Sequence, residues 1–220
     1  SCLKSSRSIM LPTALLVVLV AATPCSAQVI NRLLGPPIRD DQHTIRKYVK
    51  SWKGLKRQDV VMQQRDFSCG AAAMATLMRY HWGDQKIDER RLLHETVLML
   101  TPAEMKDRIK NGLTLTDLRR LAVKVGYNAS IGELTFEKLA ESKVPVIVGI
   151  IVNDYDHFVV YRGTDGRFVY LADPSRGKLR IPIAEFMRQW QENLVLVIVP
   201  RSGDLQRAAR LLVEWDDTFL

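Results

Sequence analysis

The sequence predicts an α+β fold, with helices in the first half and an antiparallel sheet in the second. Two patterns predict it. An alanine-rich run follows Cys69, and helical patterning continues to Val125. From Val144 onward, runs rich in β-branched residues are separated by turn residues. Composition agrees: the 220 residues are 47% apolar and 25% charged, with 12 Gly and 9 Pro, which excludes a disordered, collagen-like or coiled-coil chain.

Residues 1–27 read as an export signal. Lys4 and Arg7 precede an apolar run from Ile9 to Ala22, and Cys25-Ser26-Ala27 ends in small residues. The run has 14 residues, short of the roughly 20 that a bilayer span needs, so cleavage is expected rather than a permanent anchor. Cys25 raises a lipoprotein reading, which the neighbouring Pro24 disfavours. Cleavage would leave 30 basic against 24 acidic residues, a net charge of +6 in place of +8. It would also remove Cys2 and Cys25, leaving Cys69 as the one thiol, either sealed in the core or kept because it reacts.

Gln28 to Pro37 reads as a tail with a turn at Gly35-Pro36-Pro37. Asp40 to Lys53 carries Ile45, Tyr48, Val49 and Trp52 at helical spacing with basic residues between them, and Gly54 would stop it. Such a basic amphipathic helix either packs on its own domain or makes peripheral contact with a membrane, a secretion pore or an acidic partner. Ser68 is placed to cap a helix over Cys69 to Tyr80. Further helices are expected around Asp88 to Leu98, Pro102 to Lys110 and Thr116 to Val125, with a short strand over Tyr127 to Ser130 and a short helix over Thr135 to Ser142.

Val144 to Val152 is a continuous apolar run and reads as a buried strand. His157 to Gly163 and Arg167 to Ala172 form a strand pair around the turn Thr164-Asp165-Gly166. Lys178 to Ile181 is a short strand, Ile183 to Trp190 a helix, Leu194 to Val199 a strand and Asp204 to Glu214 a closing helix. The expected organisation is a signal peptide at 1–27, an N-terminal extension at 28–57, a central domain at 58–200, and a helix and tail at 201–220.

Candidate chemistry gathers at four positions. Cys69 opens its helix, where unpaired backbone N–H groups and the positive helix end favour a thiolate. A buried structural cysteine is the ordinary alternative. His157 begins a strand beside the loop of Asn153, Asp154 and Asp156, within reach of a cleft. The hairpin would return Asp173 to the level of His157, where a carboxylate fixes the imidazole tautomer; the common use of Asp-Pro is simply a turn. Gln63, six residues before Cys69, has an amide able to complete an oxyanion hole with the Cys69 N–H. His81 is excluded because it lies about 18 Å along the helix from Cys69, and His94 reads as solvated. The four histidines show no metal-ligand spacing. The positive charge comes without a dense basic block or a nucleic-acid motif, so nucleic acid is not an expected partner.

Taken together, Gln63, Ser68-Cys69-Gly70 opening an Ala-rich helix, His157-Phe158-Val159-Val160, and Ala172-Asp173-Pro174 with Gly177 resemble the bacteriocin-processing, double-glycine-leader cysteine peptidases. Gly112 to Leu118, Val125-Gly126-Tyr127, Glu185-Phe186 and Trp190 extend the resemblance over about residues 58 to 200. It implies a papain-like fold, with the nucleophile helix packed on the C-terminal antiparallel sheet. It also implies Cys69 as nucleophile, His157 as base and then acid, Asp173 as its orienting partner and Gln63 as oxyanion donor, with no metal or organic cofactor. The substrate would be a polypeptide, exported or secreted. Ser68 replaces the family's usual acidic residue before the cysteine. The export signal looks like that of stand-alone periplasmic members, including the peptidase of a Gram-negative functional-amyloid secretion system. A transglutaminase-like acyl transferase and a non-hydrolytic leader- or substrate-binding accessory protein are the competing readings. Phe158, in place of a Trp after the histidine, speaks against the first, and retention of all four residues against the second.

Overall fold

In a computed structural model of the chain, residues 38–39, 44–45, 51–201, 208–214 and 217 are described. The chain divides into two units, Ser1–Val49 and Lys50–Leu220. The predicted signal peptide and the tail to Pro37 lie outside the described residues. In the first unit, β1 (Ile38–Arg39) pairs antiparallel with β2 (Thr44–Ile45). The helix expected over Asp40 to Lys53 is therefore corrected where it is described. Thr44 and Ile45 are β-branched and take the extended form. In the second unit the helix starts late, as α1 (Trp52–Arg57), because the Ser51 side chain accepts from the Gly54 N–H and caps it there. Gly54 thus sits inside this helix rather than ending it.

The helical half of the second unit follows the predicted order. A 3-10 turn (Asp66–Ser68) leads into α2 (Cys69–Thr76), which continues as a π-helical turn over Leu77–His81. All eight residues of α2 are buried, so alanine serves it twice. It favours the helix, and it lets the helix lie close to its neighbours. Then come α3 (Glu89–Met99), α4 (Pro102–Asn111) and α5 (Leu115–Lys124). Asp88, Thr101 and Thr114 cap them, the last two through reciprocal capping boxes with Glu104 and Asp117.

The sheet has six strands: β3 (Tyr127–Glu133), β4 (Val146–Val152), β5 (Tyr155–Thr164), β6 (Phe168–Asp173), β7 (Gly177–Pro182) and β8 (Trp190–Pro200). The order is β3-β8-β4-β5-β6-β7, antiparallel throughout. Two short helices, α6 (Phe136–Ala140) and α7 (Ile183–Gln189), complete it. Val146 to Ile150 is buried at every position, as its unbroken apolar run predicts for a strand covered on both faces. One face packs Ile147, Val160, Ala172 and Leu196 under α2 and α5; the other packs Val148, Val159, Tyr161 and Leu171 with Leu139 and Phe186.

Two features escape the sequence pattern. Asn153 and Asp154 both take positive φ (51° and 64°) and join β4 to β5 as a two-residue hairpin, so β5 begins two residues before His157. The closing helix expected over Asp204 to Glu214 is absent from its described part, 208–214, which runs as turns and irregular chain. Its first backbone donors are spent elsewhere: Ala208 and Arg210 donate to the carbonyls of His81 and Tyr80 at 2.9 and 3.1 Å.

Candidate active site

Cys69 occupies the first turn of α2 and is 5% exposed. No side chain caps that turn. Ser68 stands at the cap position, but its hydroxyl is turned back to the Arg65 carbonyl at 2.8 Å and the Glu89 carboxylate at 2.5 Å. The positive helix end is thus left facing the sulfur. Gly70 is required by close approach, since a Cβ there would stand 2.9 Å from Leu118 Cδ2 and 3.2 Å from Phe158 Cδ2. The sulfur borders a surface cleft lined by Phe67, Ile109, Gly112, Tyr155 and Asp156.

His157 and Asp173 meet as a sheet pair. His157 Nε2 lies 2.8 Å from Asp173 Oδ1. Their meeting depends on register. Near the turn, Thr164 faces Val169 and Gly163 faces Tyr170; further on, Tyr161 faces Leu171 and Val160 faces Ala172. Arg162 is the extra residue between these registers, a β-bulge. Had the first register continued, Asp173 would face Val160, on the opposite side of the sheet from His157. The bulge instead sets Asp173 level with Val159, diagonal to His157 and on the same face.

Asp173 is saturated by its own turn. Its Oδ1 accepts from the Ser175 N–H and hydroxyl, each at 2.7 Å, and from the Arg176 N–H at 3.2 Å; its Oδ2 accepts from Arg176 Nε at 2.6 Å. The Asp-Pro turn and the histidine partner are therefore one structure. Burial pushes the Asp173 carboxyl up, but the bond to His157, the Ser175 hydroxyl and the Arg176 charge outweigh it and hold it well below the usual carboxylate range. Burial likewise disfavours a charged His157. The hydrogen bonds that it donates to Asp173 and Cys69, and the charge of each, win and raise it to about 9. With Nε2 committed to Asp173, Nδ1 is the nitrogen left for the thiol.

Gln63 joins the same neighbourhood through the backbone: its N–H donates to the Pro174 carbonyl at 2.8 Å, next to Asp173. One N–H of its side-chain amide goes to the Arg65 carbonyl at 3.2 Å, and the second is the one available to an oxyanion. The two rival histidines are elsewhere. His81 is buried at the far end of the π-helical turn against Trp82, and His94 is exposed on α3.

Sequence reasoning missed Glu89, Ser175 and Arg176. Glu89 is 3% exposed and accepts from both the Gln64 N–H (2.9 Å) and Ser68, pinning the loop between Gln63 and Cys69. The available signal was Ser68 standing where the resembling family carries an acid. Here the carboxylate comes from the start of α3.

A thiol at a helix start, against an imidazole held by a carboxylate, in an α+β scaffold of this order, defines a cysteine-type peptidase of papain-like fold. Comparison with known proteins gives the family. The profile of the Peptidase C39 family matches residues 57–203, and the chain belongs to that family. It is 32% identical over 171 residues to the "Probable functional amyloid protease FapD" of Pseudomonas aeruginosa, covering 78% of this chain and 74% of that protein. A protein of the same name from Pseudomonas fluorescens is 30% identical, with 74% and 70% covered. Among solved structures, the peptidase domain of Streptococcus ComA, a bifunctional ABC transporter of a quorum-sensing pathway, superposes with a TM-score of 0.54 at 18% identity, covering 64% of this chain and 98% of that domain.

Proposed function

We propose that this peptidase acts in the periplasm, after export by the 1–27 segment, and cuts a peptide bond in an exported or secreted protein. A component of a functional-amyloid secretion system is the substrate class that the two Pseudomonas relatives suggest. In this reading Cys69, His157 and Asp173 are the triad and Gln63 is the oxyanion donor. The observation that supports it most is geometric: His157 Nε2 stands 2.8 Å from Asp173 Oδ1, and Cys69 at the start of α2 shares a cleft with Tyr155 and Asp156, which precede that histidine.

The Cys69 thiolate attacks the scissile carbonyl, and the oxyanion is held by the Cys69 N–H and the Gln63 amide. Imidazolium His157 then gives its proton to the departing amine, leaving an acyl-enzyme. Water, deprotonated by the now neutral His157, attacks the acyl carbon, releases the acid and restores the thiolate and the imidazolium. Asp173 keeps the ring oriented throughout.

The test is to incubate the wild type and Cys69→Ala with exported proteins of the same cell and compare termini by mass spectrometry. New termini with the wild type alone support the reading. Equal cleavage by Cys69→Ala overturns the nucleophile assignment, and an amine joined to the acyl fragment in place of a new terminus would make the enzyme an acyl transferase.

A further inference from the structure

Beyond the stretch matched by the family profile (57–203), the described C-terminal residues 208–214 and 217 bridge the two elements that carry the reacting groups. At one end, Ala208 and Arg210 donate to the carbonyls of His81 and Tyr80, at the end of the helix begun by Cys69. At the other end, the chain closes on Arg162, the extra residue in the strand of His157. Arg162 Nε donates to the Leu211 carbonyl and Nη2 to the Leu212 carbonyl, each at 2.9 Å. The rest of the guanidinium takes Asp217 in a fork, Nη1 to Oδ1 at 2.7 Å and Nη2 to Oδ2 at 2.8 Å. Asp217 Oδ2 accepts once more, from the Glu214 N–H at 2.8 Å. The Arg162 side chain is 0% exposed and that of Asp217 4%. Between the two ends, Leu211 is buried in the core beneath α2. Val213 lies against Gly163, whose φ of +151° departs from the strand; a Cβ there would meet Val213 Cγ2 at 3.2 Å.

We infer that this C-terminal segment is a clasp that sets the alignment of Cys69 with His157 and Asp173, and that Arg162 and Asp217 are its positioning residues. The inference rests on the reading of those three as the reacting groups. Arg162 lies five residues from His157, about 17 Å along a strand, so it touches nothing reactive and acts only through register. Register is where the site is vulnerable. The bulge at Arg162 puts Asp173 on the face of His157, and a slip of one residue would send it to the other face. A forked, desolvated ion pair with two further carbonyl bonds is directional, which suits it to holding an irregularity in place. A hydrophobic contact alone would tolerate the slip.

The experiment measures alkylation of Cys69 against pH in the full chain, together with kcat and KM on a peptide the wild type cleaves, normalised to folded protein. Asp217→Ala is expected to slow alkylation at pH 6 by about tenfold or more and to lower kcat with KM little changed. Asp217→Asn, which keeps an acceptor for Arg162, should recover most of the loss. If Asp217→Ala does not fold, Arg162→Met with Asp217→Leu replaces the buried pair by apolar volume, and the same slowing of alkylation and loss of kcat are expected. An unchanged alkylation profile and kcat in the folded variants overturns the clasp, whatever their melting temperatures. A wild-type thiol that is inert to alkylation in the folded chain would instead overturn the peptidase site itself.

Discussion

The loop that leads into Cys69 and the hairpin that carries His157 and Asp173 are set in place by different physics. The loop is held from outside. Glu89 bonds Gln64 and Ser68, the Pro174 carbonyl takes the Gln63 N–H, and α2 is locked by burial of every residue it has. The hairpin is held by its ladder and by the bonds of Arg162 to the C-terminal segment, and one extra residue in it decides which face Asp173 shows. The first arrangement yields gradually when a bond is lost, because neighbouring contacts remain. The second is two-valued, since a strand residue points to one face or the other.

The largest break should come on the hairpin side. Asp173→Asn removes the charge that favours imidazolium, so a rate loss of roughly 10²–10⁴-fold is expected, the range for general acid–base groups. The pH profile gives the sign. His157 is raised to about 9 in the wild type, so activity that needs imidazolium is present below that value and falls as pH rises through it. In Asp173→Asn the alkaline limb should move to lower pH, read by kcat or by imidazole NMR, and an unmoved limb would show that Asp173 does not govern His157.

A smaller effect is expected on the loop side. Glu89→Ala leaves the Gln64 N–H without its acceptor, while the Ser68 hydroxyl keeps the Arg65 carbonyl, at a cost of about 1–3 kcal/mol in stability. Thermal unfolding would measure it. Because the other anchors of the loop remain, kcat should fall by about tenfold or less with the alkaline limb in place. A loss as large as that of Asp173→Asn would erase the contrast between the two sides. The smallest effect sharpens the comparison from outside both regions. Thr101→Ala removes the reciprocal cap of α4, and about 1 kcal/mol of stability with unchanged kcat and pH profile is expected from denaturant unfolding and steady-state kinetics.

What could be read in advance follows the same division. The helix starting at Cys69, the capped helices after it and the unbroken apolar strand at Val146–Val152 are local patterns, and they formed as spacing and propensity predict. Where a local pattern misled, a distant partner or a nearer cap had the deciding bond. The helix expected to run through 208–214 is lost where the N–H groups of Ala208 and Arg210 go to His81 and Tyr80, and helix formation near Asp40 to Lys53 waits for Ser51. Ser175 and Arg176 were hidden by a dipeptide whose turn chemistry was already a sufficient explanation for Asp173.

By itself, the order of residues along the chain determined the α+β class, a cysteine at a helix start, and a histidine and an aspartate on paired strands. These depend on side-chain period and on residues adjacent in sequence. Only the tertiary structure decided that the bulge at Arg162 turns Asp173 to the face of His157, that Glu89 stands in for an acid before Cys69, and that the C-terminal segment ties the two halves together. Each of these is a hydrogen bond or ion pair between groups distant in sequence, and no local periodicity encodes its partner.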